Sequence, residues 1–165
     1  MNKKHFLMLA FASLIFTMGS CLKSDENAAN NCIPNNTGVP TAAEIASLQA
    51  YLTSKSIAAT QHSGGFFYVI HVQGTGVSPQ LSSTVNVKYT GKLTNDVIFT
   101  EDQTGNANFL LSDLILGWRR GLPLIQEGGR ITLYIPPSLG YGCNQSGSIP
   151  PGSNLIFTID LIDVL

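Results

Sequence analysis

The stretch "LILGWRRG", residues 114–121, contains the only tryptophan of this 165-residue chain. Three apolar residues and a glycine precede Trp118, and two arginines follow it. The pattern predicts a short helix that Leu114 begins, with Ser112 or Asp113 as its cap and Gly121 as its end. In such a helix Trp118 faces the interior, whereas the arginines point to solvent and to the helix C-terminus, where positive charge is favourable.

The segments on both sides of this helix have the composition and alternation of β-strands. Residues 84–93, "TVNVKYTGKL", alternate apolar and polar side chains, and residues 130–135 do the same. Residues 64–72, "GGFFYVIHV", are aromatic and β-branched, and residues 154–165 form a long apolar C-terminal segment. We therefore expect an α+β domain in which a bent, largely antiparallel sheet wraps around one short helix.

A second helix is predicted ahead of this sheet, over residues 42–54. Thr41 and Glu44 have the spacing of a capping box, in which each residue satisfies a backbone N–H of the other. The apolar side chains that follow fall on one helical face, which should pack against the rest of the domain; they are Ile45, Leu48, Tyr51 and Leu52.

The first twenty residues have the design of a secretory signal. A basic start is followed by an apolar run over residues 6–18, which is too short to span a bilayer comfortably, and then by small residues. The sequence "MGSC", residues 18–21, resembles a bacterial lipobox. This resemblance implies cleavage before Cys21 and a lipid anchor on that residue in the bacterial cell envelope; the alternative is an ordinary signal peptide with an incidental cysteine.

Residues 21–40 are polar, rich in asparagine and contain proline, as expected of a flexible tether. The acidic "KSDE" after Cys21 is similar to surface-export signals of some bacterial lipoproteins, but a solvated linker also contains such residues. The membrane face therefore stays open, although an outer-membrane location is favoured. Cys32 and Cys143 are either a disulfide, which an extracytoplasmic environment would permit, or two free thiols.

Composition excludes several classes of function. Hydrophobic residues make up 44% of the chain and charged residues 12%, which argues against a disordered protein. The net charge of −1 and the lack of a basic cluster argue against a nucleic-acid partner. No C-x-x-C or Cys/His cluster is present, so we expect neither a metal site nor a cofactor.

Several separated motifs in residues 79–165 occur together in one order: "YTG", "ILGW", "IPP…GYG", a second "IPP" and "LIF" in the last strand. In this order and spacing they resemble the FK506-binding family of peptidyl-prolyl cis/trans isomerases. The resemblance implies a domain over residues 79–165, preceded by a helix-and-strand extension over residues 41–78. It also implies proline-containing polypeptide clients, FK506-like macrolide inhibitors and no cofactor. The single short helix ahead of the domain is a poor dimer stalk, so we expect a monomer.

The resemblance assigns roles to individual residues. Trp118 would be the floor of a proline pocket, the Tyr141 hydroxyl would donate to one substrate carbonyl, and the Ile115 backbone N–H would donate to another. The walls would be Tyr89, Phe99, Leu114, Ile115, Ile149 and Phe157. For an isolated aromatic residue such as Phe157, plain core packing is the alternative.

The chain departs from the family pattern at the pocket rim. Thr100 follows Phe99 where an aspartate is common, and we expect Glu101 or Asp102 to replace that carboxylate. Ala107 falls near a position that is a larger wall residue in bigger members. These departures leave a second function open, a proline-peptide-binding chaperone or assembly module with low turnover.

Overall fold

The computed structural model describes residues 38–165. The predicted signal peptide, the lipidation site predicted at Cys21, Cys32 and the predicted tether up to residue 37 lie outside the described residues. The disulfide between Cys32 and Cys143 therefore stays a prediction. Gly38, at the end of the predicted tether, is buried, and a Cβ there would lie 2.7 Å from the Cδ1 atom of Leu116. Gly38 therefore packs on the domain, although it falls within the predicted tether.

Six strands form one sheet in which every neighbouring pair is antiparallel. The strand order across the sheet is β1-β2-β5-β6-β3-β4, so the N-terminal extension and the C-terminal domain share a single sheet. The strands are β1 (Thr60–Gln61), β2 (Phe67–Val72), β3 (Thr84–Leu93), β4 (Ile98–Leu110), β5 (Arg130–Ile135) and β6 (Leu155–Val164).

Helix α2, Leu116–Gly121, lies directly against strand β5 because two of its residues are glycines. A Cβ on Gly117 would lie 2.5 Å from the Cδ1 atom of Ile135, and a Cβ on Gly121 would lie 2.6 Å from the side chain of Leu133. Real Cβ atoms do not approach this closely, so both positions need glycine. The close contact with β5 leaves Trp118, between them, on the side of the helix that faces the cavity described below.

The predicted start of this helix was wrong, whereas its predicted last residue, Gly121, is confirmed. Leu111–Asp113 forms a separate 3₁₀ turn, Leu114 and Ile115 are extended, and no side chain caps α2. At the other end Gly121 has φ −86° and the chain continues into a 3₁₀ turn, Leu122–Leu124. Packing of the glycines on the sheet, rather than capping chemistry, fixes the position of the helix.

Arg120 also differs from its predicted position. Its Nη1 atom lies 3.5 Å from the carbonyl oxygen of Gly64, and its side chain lies near Gly38. It is partly buried under the N-terminal extension instead of pointing to solvent. Both arginines remain in the last turn of α2, as expected for cations near a helix C-terminus.

Helix α1, Ala42–Ser54, packs on the opposite face of the sheet, and its predicted bounds and capping box are confirmed. Its apolar face covers side chains of β2, β5 and β6 that point away from α2, because successive residues of a strand alternate between faces. This smaller core contains Leu48, Leu52, Phe67, Tyr134 and Ile156. The larger core, around α2, includes Val85, Val87, Leu133, Ile135 and Ile159.

One strand prediction needed correction, and strand β4 was not predicted. Strand β2 begins at Phe67 and not at residue 64, because Gly64 and Gly65 form a turn in which Gly65 has φ +83°. Strand β4 has no clear alternation in sequence, since it is an edge strand whose residues are largely exposed or partly buried. No helix within residues 38–165 is long and apolar enough to cross a membrane.

Candidate functional site

A cavity of about 420 Å³ opens beside α2, between strands β3, β4 and β6 and the loop of residues 140–154. All nine residues that the sequence predicted for the proline pocket line it. They are Tyr89, Phe99, Thr100, Leu114, Ile115, Trp118, Tyr141, Ile149 and Phe157. The structure thus brings together side chains from β3, β4, β6, α2 and two loops; their roles toward a ligand stay predictions.

Trp118 is the centre of an aromatic cluster on this cavity. Its ring is nearly perpendicular to those of Phe157 and Tyr89, with centroids 5.2 and 5.5 Å away. Phe109 makes a third perpendicular contact at 6.3 Å. Edge-to-face pairs of this kind each contribute about 0.5–1.5 kcal/mol beyond the area they bury. The cluster therefore holds the indole in one orientation before any ligand binds.

Gly91 of the "YTG" motif makes room for the rings on the far side of the cavity. A Cβ on Gly91 would lie 2.6 Å from the Phe157 ring and 2.9 Å from the Phe99 ring. These two rings themselves meet edge to face at 5.4 Å. The glycine is thus required by the close approach of strand β3 to the wall of the cavity.

The floor of the cavity is apolar and its side chains are almost fully buried. Trp118 is 4% exposed and Phe157 is 3% exposed. The indole Nε1 atom of Trp118 is buried and has no hydrogen-bond partner among the described residues. A polar group that moves from water onto this floor loses its hydrogen bonds to water and regains few of them.

Two hydrogen-bond donors without partners lie at the rim. Within residues 38–165, neither the Tyr141 hydroxyl nor the Ile115 backbone N–H makes a hydrogen bond. Tyr141 is 37% exposed, so its hydroxyl is at the mouth of the cavity. Burial, and to a smaller extent the neighbouring Tyr89, raise the pKa of Tyr141, which keeps this hydroxyl protonated as a donor at neutral pH.

The expectation that Glu101 or Asp102 replaces a rim carboxylate was wrong. Neither residue lines the cavity, and the Asp102 carboxylate instead accepts hydrogen bonds from the backbone and hydroxyl of Thr104 at 2.7 and 2.6 Å. Those bonds lower the pKa of Asp102. Thr100 is placed at the rim, with its hydroxyl 3.4 Å from that of Tyr89. The acidic group on the cavity is Asp113.

The sequence missed some residues of the site. Phe109 is a second aromatic wall residue of strand β4, beside Phe99, whereas Ala107 packs against the main core and does not line the cavity. The register of the β3–β4 pairing shifts here, since Val87 pairs with Ala107 but Tyr89 pairs with Asp102. The extra residues of β4 between these two pairs form a bulge. The alternation of side chains within "ANFL" could have placed Phe109 on the inner face of the sheet, but no sequence pattern indicated the bulge. The other missed lining residues are Asp113, Ser146, Gly147 and Ser148.

Within the described part of the chain, no group of three or more His, Cys, Asp or Glu residues is placed to hold a metal ion. The two histidines of this region have other contacts. His62 accepts from the backbone N–H of Gly64 at 2.9 Å, and His71 lies 2.8 Å from the Thr132 hydroxyl.

The family model described as FKBP-type peptidyl-prolyl cis-trans isomerase matches residues 76–162, which is more than half of the chain. The chain belongs to this family. The matched range nearly coincides with residues 79–165, over which the motifs were found. The FKBP-like fold expected from the motifs is confirmed, with six antiparallel strands and a short helix against them.

Curated relatives agree with this assignment. A probable FKBP-type peptidyl-prolyl cis-trans isomerase from Haemophilus influenzae is 39% identical over 117 residues, which is 69% of this chain and 48% of the relative. FkpA from Escherichia coli, an FKBP-type peptidyl-prolyl cis-trans isomerase, is 40% identical over 104 residues, 62% of this chain and 38% of the relative. The chain thus spans about half or less of these relatives.

Solved structures show the same fold. Escherichia coli FkpA superposes with a TM-score of 0.67 at 35% identity, covering 74% of this chain and 60% of that one. A peptidyl-prolyl cis-trans isomerase from Pseudomonas syringae pv. tomato gives a TM-score of 0.65 at 28% identity and covers 76% of this chain and 96% of that one.

Proposed function

We propose that this FKBP-family chain catalyses cis/trans isomerisation of X-Pro bonds in extracytoplasmic polypeptides. The observation that supports the proposal best is the cavity itself, an aromatic box on Trp118 with two unpaired donors at its rim. The proline ring of a client would lie on Trp118, between Phe157 and Tyr89.

The chemistry needs no nucleophile and no general base. Rotation about an X-Pro bond is slow because amide resonance gives the C–N bond partial double-bond character, with a barrier of about 18–20 kcal/mol. In the twisted transition state this resonance is lost and the amide is less charge-separated. The apolar floor around Trp118 would therefore stabilise the twisted amide more than the planar amide. Because the transition state is bound more tightly than the ground state, the rotation barrier is lowered.

The rim donors would orient the client across the floor. The Tyr141 hydroxyl donates to one client carbonyl, and the Ile115 N–H donates to a second. Because Ile115 lies immediately ahead of α2, its N–H is fixed relative to Trp118 by the first helical turn, in which Trp118 and Arg119 donate to the Ile115 carbonyl at 3.0 and 3.1 Å. Two fixed donors hold the substrate in one register and reduce the entropy lost in the transition state.

The cellular setting follows from the N-terminal sequence. We propose that Cys21 is lipidated after signal cleavage and anchors a monomeric domain in the bacterial cell envelope, through a tether that ends at the buried Gly38. Several acyl chains would anchor firmly, because each buried CH₂ contributes about 0.8 kcal/mol. Clients would be unfolded or partly folded polypeptides with exposed prolines.

An isomerase assay with the full-length chain in detergent tests this proposal. The protein should accelerate a proline-limited refolding reaction, and an FK506-like macrolide should inhibit it by occupying the same cavity. Trp118→Leu is the matched variant, which removes the aromatic floor. A wild-type protein that is folded but gives no rate above background would reject the isomerase function.

Thr100 supports a second candidate, a proline-peptide-binding module with low turnover. Its uncharged hydroxyl stands at the rim where many family members have a carboxylate, and neither Glu101 nor Asp102 replaces that charge. Thr100→Asp discriminates the two functions. A large gain in rate for Thr100→Asp with unchanged peptide affinity would favour the binding module, whereas equal rates would favour an isomerase that does not need the acid.

A further inference from the structure

We propose that Glu44, on the far face of the sheet, is a positioning residue that holds the rim of the cavity in place. The inference rests on the proposed isomerase function, since it assigns Glu44 a role in that site. Glu44 lies in the first turn of α1 and does not line the cavity. Its influence on a client must therefore pass through the residues that its carboxylate binds.

The Glu44 carboxylate binds Ser138, which is 94 residues away in sequence. The Ser138 backbone N–H donates to Oε1 at 2.8 Å, and the Ser138 hydroxyl lies 2.7 Å from Oε1 and 2.8 Å from Oε2. On the helix side, Oε2 also accepts from the Thr41 N–H at 2.7 Å and from its hydroxyl at 3.0 Å. A capping box needs only the Thr41 bonds, so those to Ser138 are additional.

The ionisation state of Glu44 makes these bonds strong. Burial raises the pKa of its carboxyl, but the hydrogen bonds from Ser138 and Thr41 together lower it by more, so the pKa is below its ordinary value of 4.5. The group is thus a carboxylate at neutral pH. Hydrogen bonds to an ionised acceptor are about twice as strong as neutral ones.

Ser138 connects Glu44 to Tyr141 through a short 3₁₀ turn, Pro137–Leu139. The Pro137 carbonyl accepts hydrogen bonds from the N–H groups of Gly140 and Gly142, both at 2.9 Å. These two glycines flank Tyr141, whose side chain lines the mouth of the cavity. Fixing the Ser138 turn therefore fixes the backbone from which Tyr141 projects.

The other end of the loop of residues 140–154 is attached to the same helix, α1. The Asn154 side chain donates to the Ser47 hydroxyl at 3.0 Å, and Ser47 lies one helical turn after Glu44. Between the two attachments, residues 140–154 include four lining residues at positions 146–149. Across the base of this loop, the Gly152 N–H donates to the Gly142 carbonyl at 2.9 Å. Helix α1 therefore holds both ends of the loop.

The physical consequence is preorganisation of the rim. The loop is rich in Gly and Ser, so without its attachments to α1 it would lose more conformational freedom when a client binds. Ordering it in advance through Glu44 reduces that cost and improves binding. Loss of Glu44 should therefore raise KM more than it lowers kcat, because the floor around Trp118 is untouched.

The test uses the full-length chain and two readouts, the steady-state constants for an X-Pro tetrapeptide and amide hydrogen exchange of residues 140–154. Glu44→Ala should raise KM about three- to tenfold with kcat nearly constant, and should speed exchange at Gly140 and Gly142. Glu44→Gln should recover part of the loss, since its amide oxygen can still accept from the Ser138 N–H. Combining Glu44→Ala with Ser138→Ala should add little to Glu44→Ala.

Thr41→Val is the matched control, because it weakens the cap of the same helix but leaves the Ser138 contact. It should lower thermal stability without changing KM or loop exchange. Equal effects of Thr41→Val and Glu44→Ala, or no effect of Glu44→Ala on either readout, would overturn the proposal. If Glu44→Ala does not fold, the same comparison is made with Glu44→Gln. A wild-type chain without isomerase activity would refute the proposed function instead, while hydrogen exchange would still test the coupling.

Discussion

The ring of Trp118 meets that of Phe157 edge to face, with centroids 5.2 Å apart and planes at 85°. One residue comes from a six-residue helix and the other from the start of the C-terminal strand β6, so their contact requires the sheet to be assembled. Because three neighbouring rings hold the indole at fixed angles, the apolar floor of the cavity is formed before a ligand binds.

Replacing the floor should abolish tight binding of proline ligands. Trp118→Leu removes the centre of three edge-to-face contacts, so macrolide and X-Pro peptide affinity should fall about 30-fold or more. The free energy of unfolding should fall by about 2–4 kcal/mol, since a large buried side chain is lost. Isothermal titration and urea unfolding measure the two effects. Unchanged affinity in a folded variant would contradict the assignment of Trp118.

Adding a single methyl group at Gly91 should damage the cavity wall. Gly91→Ala places a Cβ within 2.6 Å of the Phe157 ring and 2.9 Å of the Phe99 ring, which must then move. We expect a loss of about 1–3 kcal/mol in unfolding free energy, as for other overpacked sites, together with weaker peptide binding. Gly128→Ala is the control, because a Cβ at Gly128 has nothing within 4 Å and the only cost is its φ of +80°. We expect this control to keep its peptide affinity.

Removing one rim donor should slow the reaction without destabilising the fold. Tyr141→Phe deletes a hydroxyl that has no partner within the described residues, at a side chain that is 37% exposed. We expect kcat/KM to fall about three- to tenfold, the value of one hydrogen bond, with an unchanged melting temperature. A peptide isomerisation assay and a thermal melt measure these quantities. An unaltered kcat/KM would show that Tyr141 does not donate to the client.

The Glu44 carboxyl should make stability depend on pH in the acid range. Its pKa is lowered in the folded state, so the folded protein binds fewer protons there than the unfolded chain. Its stabilising contribution is therefore complete above its ordinary pKa of 4.5 and is lost as the pH falls below it. Urea unfolding from pH 7 to pH 3 should show the wild-type advantage over Glu44→Gln shrinking with falling pH. An advantage that grows as the pH falls would have the wrong sign.

Local patterns predicted much of this molecule. The capping box predicted the start of α1. The family resemblance carried by the ordered motifs implied nine pocket residues, and all nine line the cavity. The missed features depend on distant parts of the chain. The facing of Phe109 could not be predicted because a bulge interrupts the pairing of β4. The contact between Glu44 and Ser138 could not be predicted because the two residues are 94 positions apart. The start of α2 is set by the packing of Gly117 on Ile135, which no capping signal records.

Exchange NMR on an Ala-Pro peptide, with catalytic amounts of the full-length chain, tests directly whether the protein isomerises X-Pro bonds. Uncatalysed exchange takes about 10–100 s, too slow to give exchange peaks between the cis and trans isomers on a subsecond mixing time. We expect such peaks with wild-type protein, and we expect Trp118→Leu or a saturating macrolide to abolish them. Peptide binding by the folded wild-type protein without any cis/trans exchange peaks would contradict the proposed isomerase function.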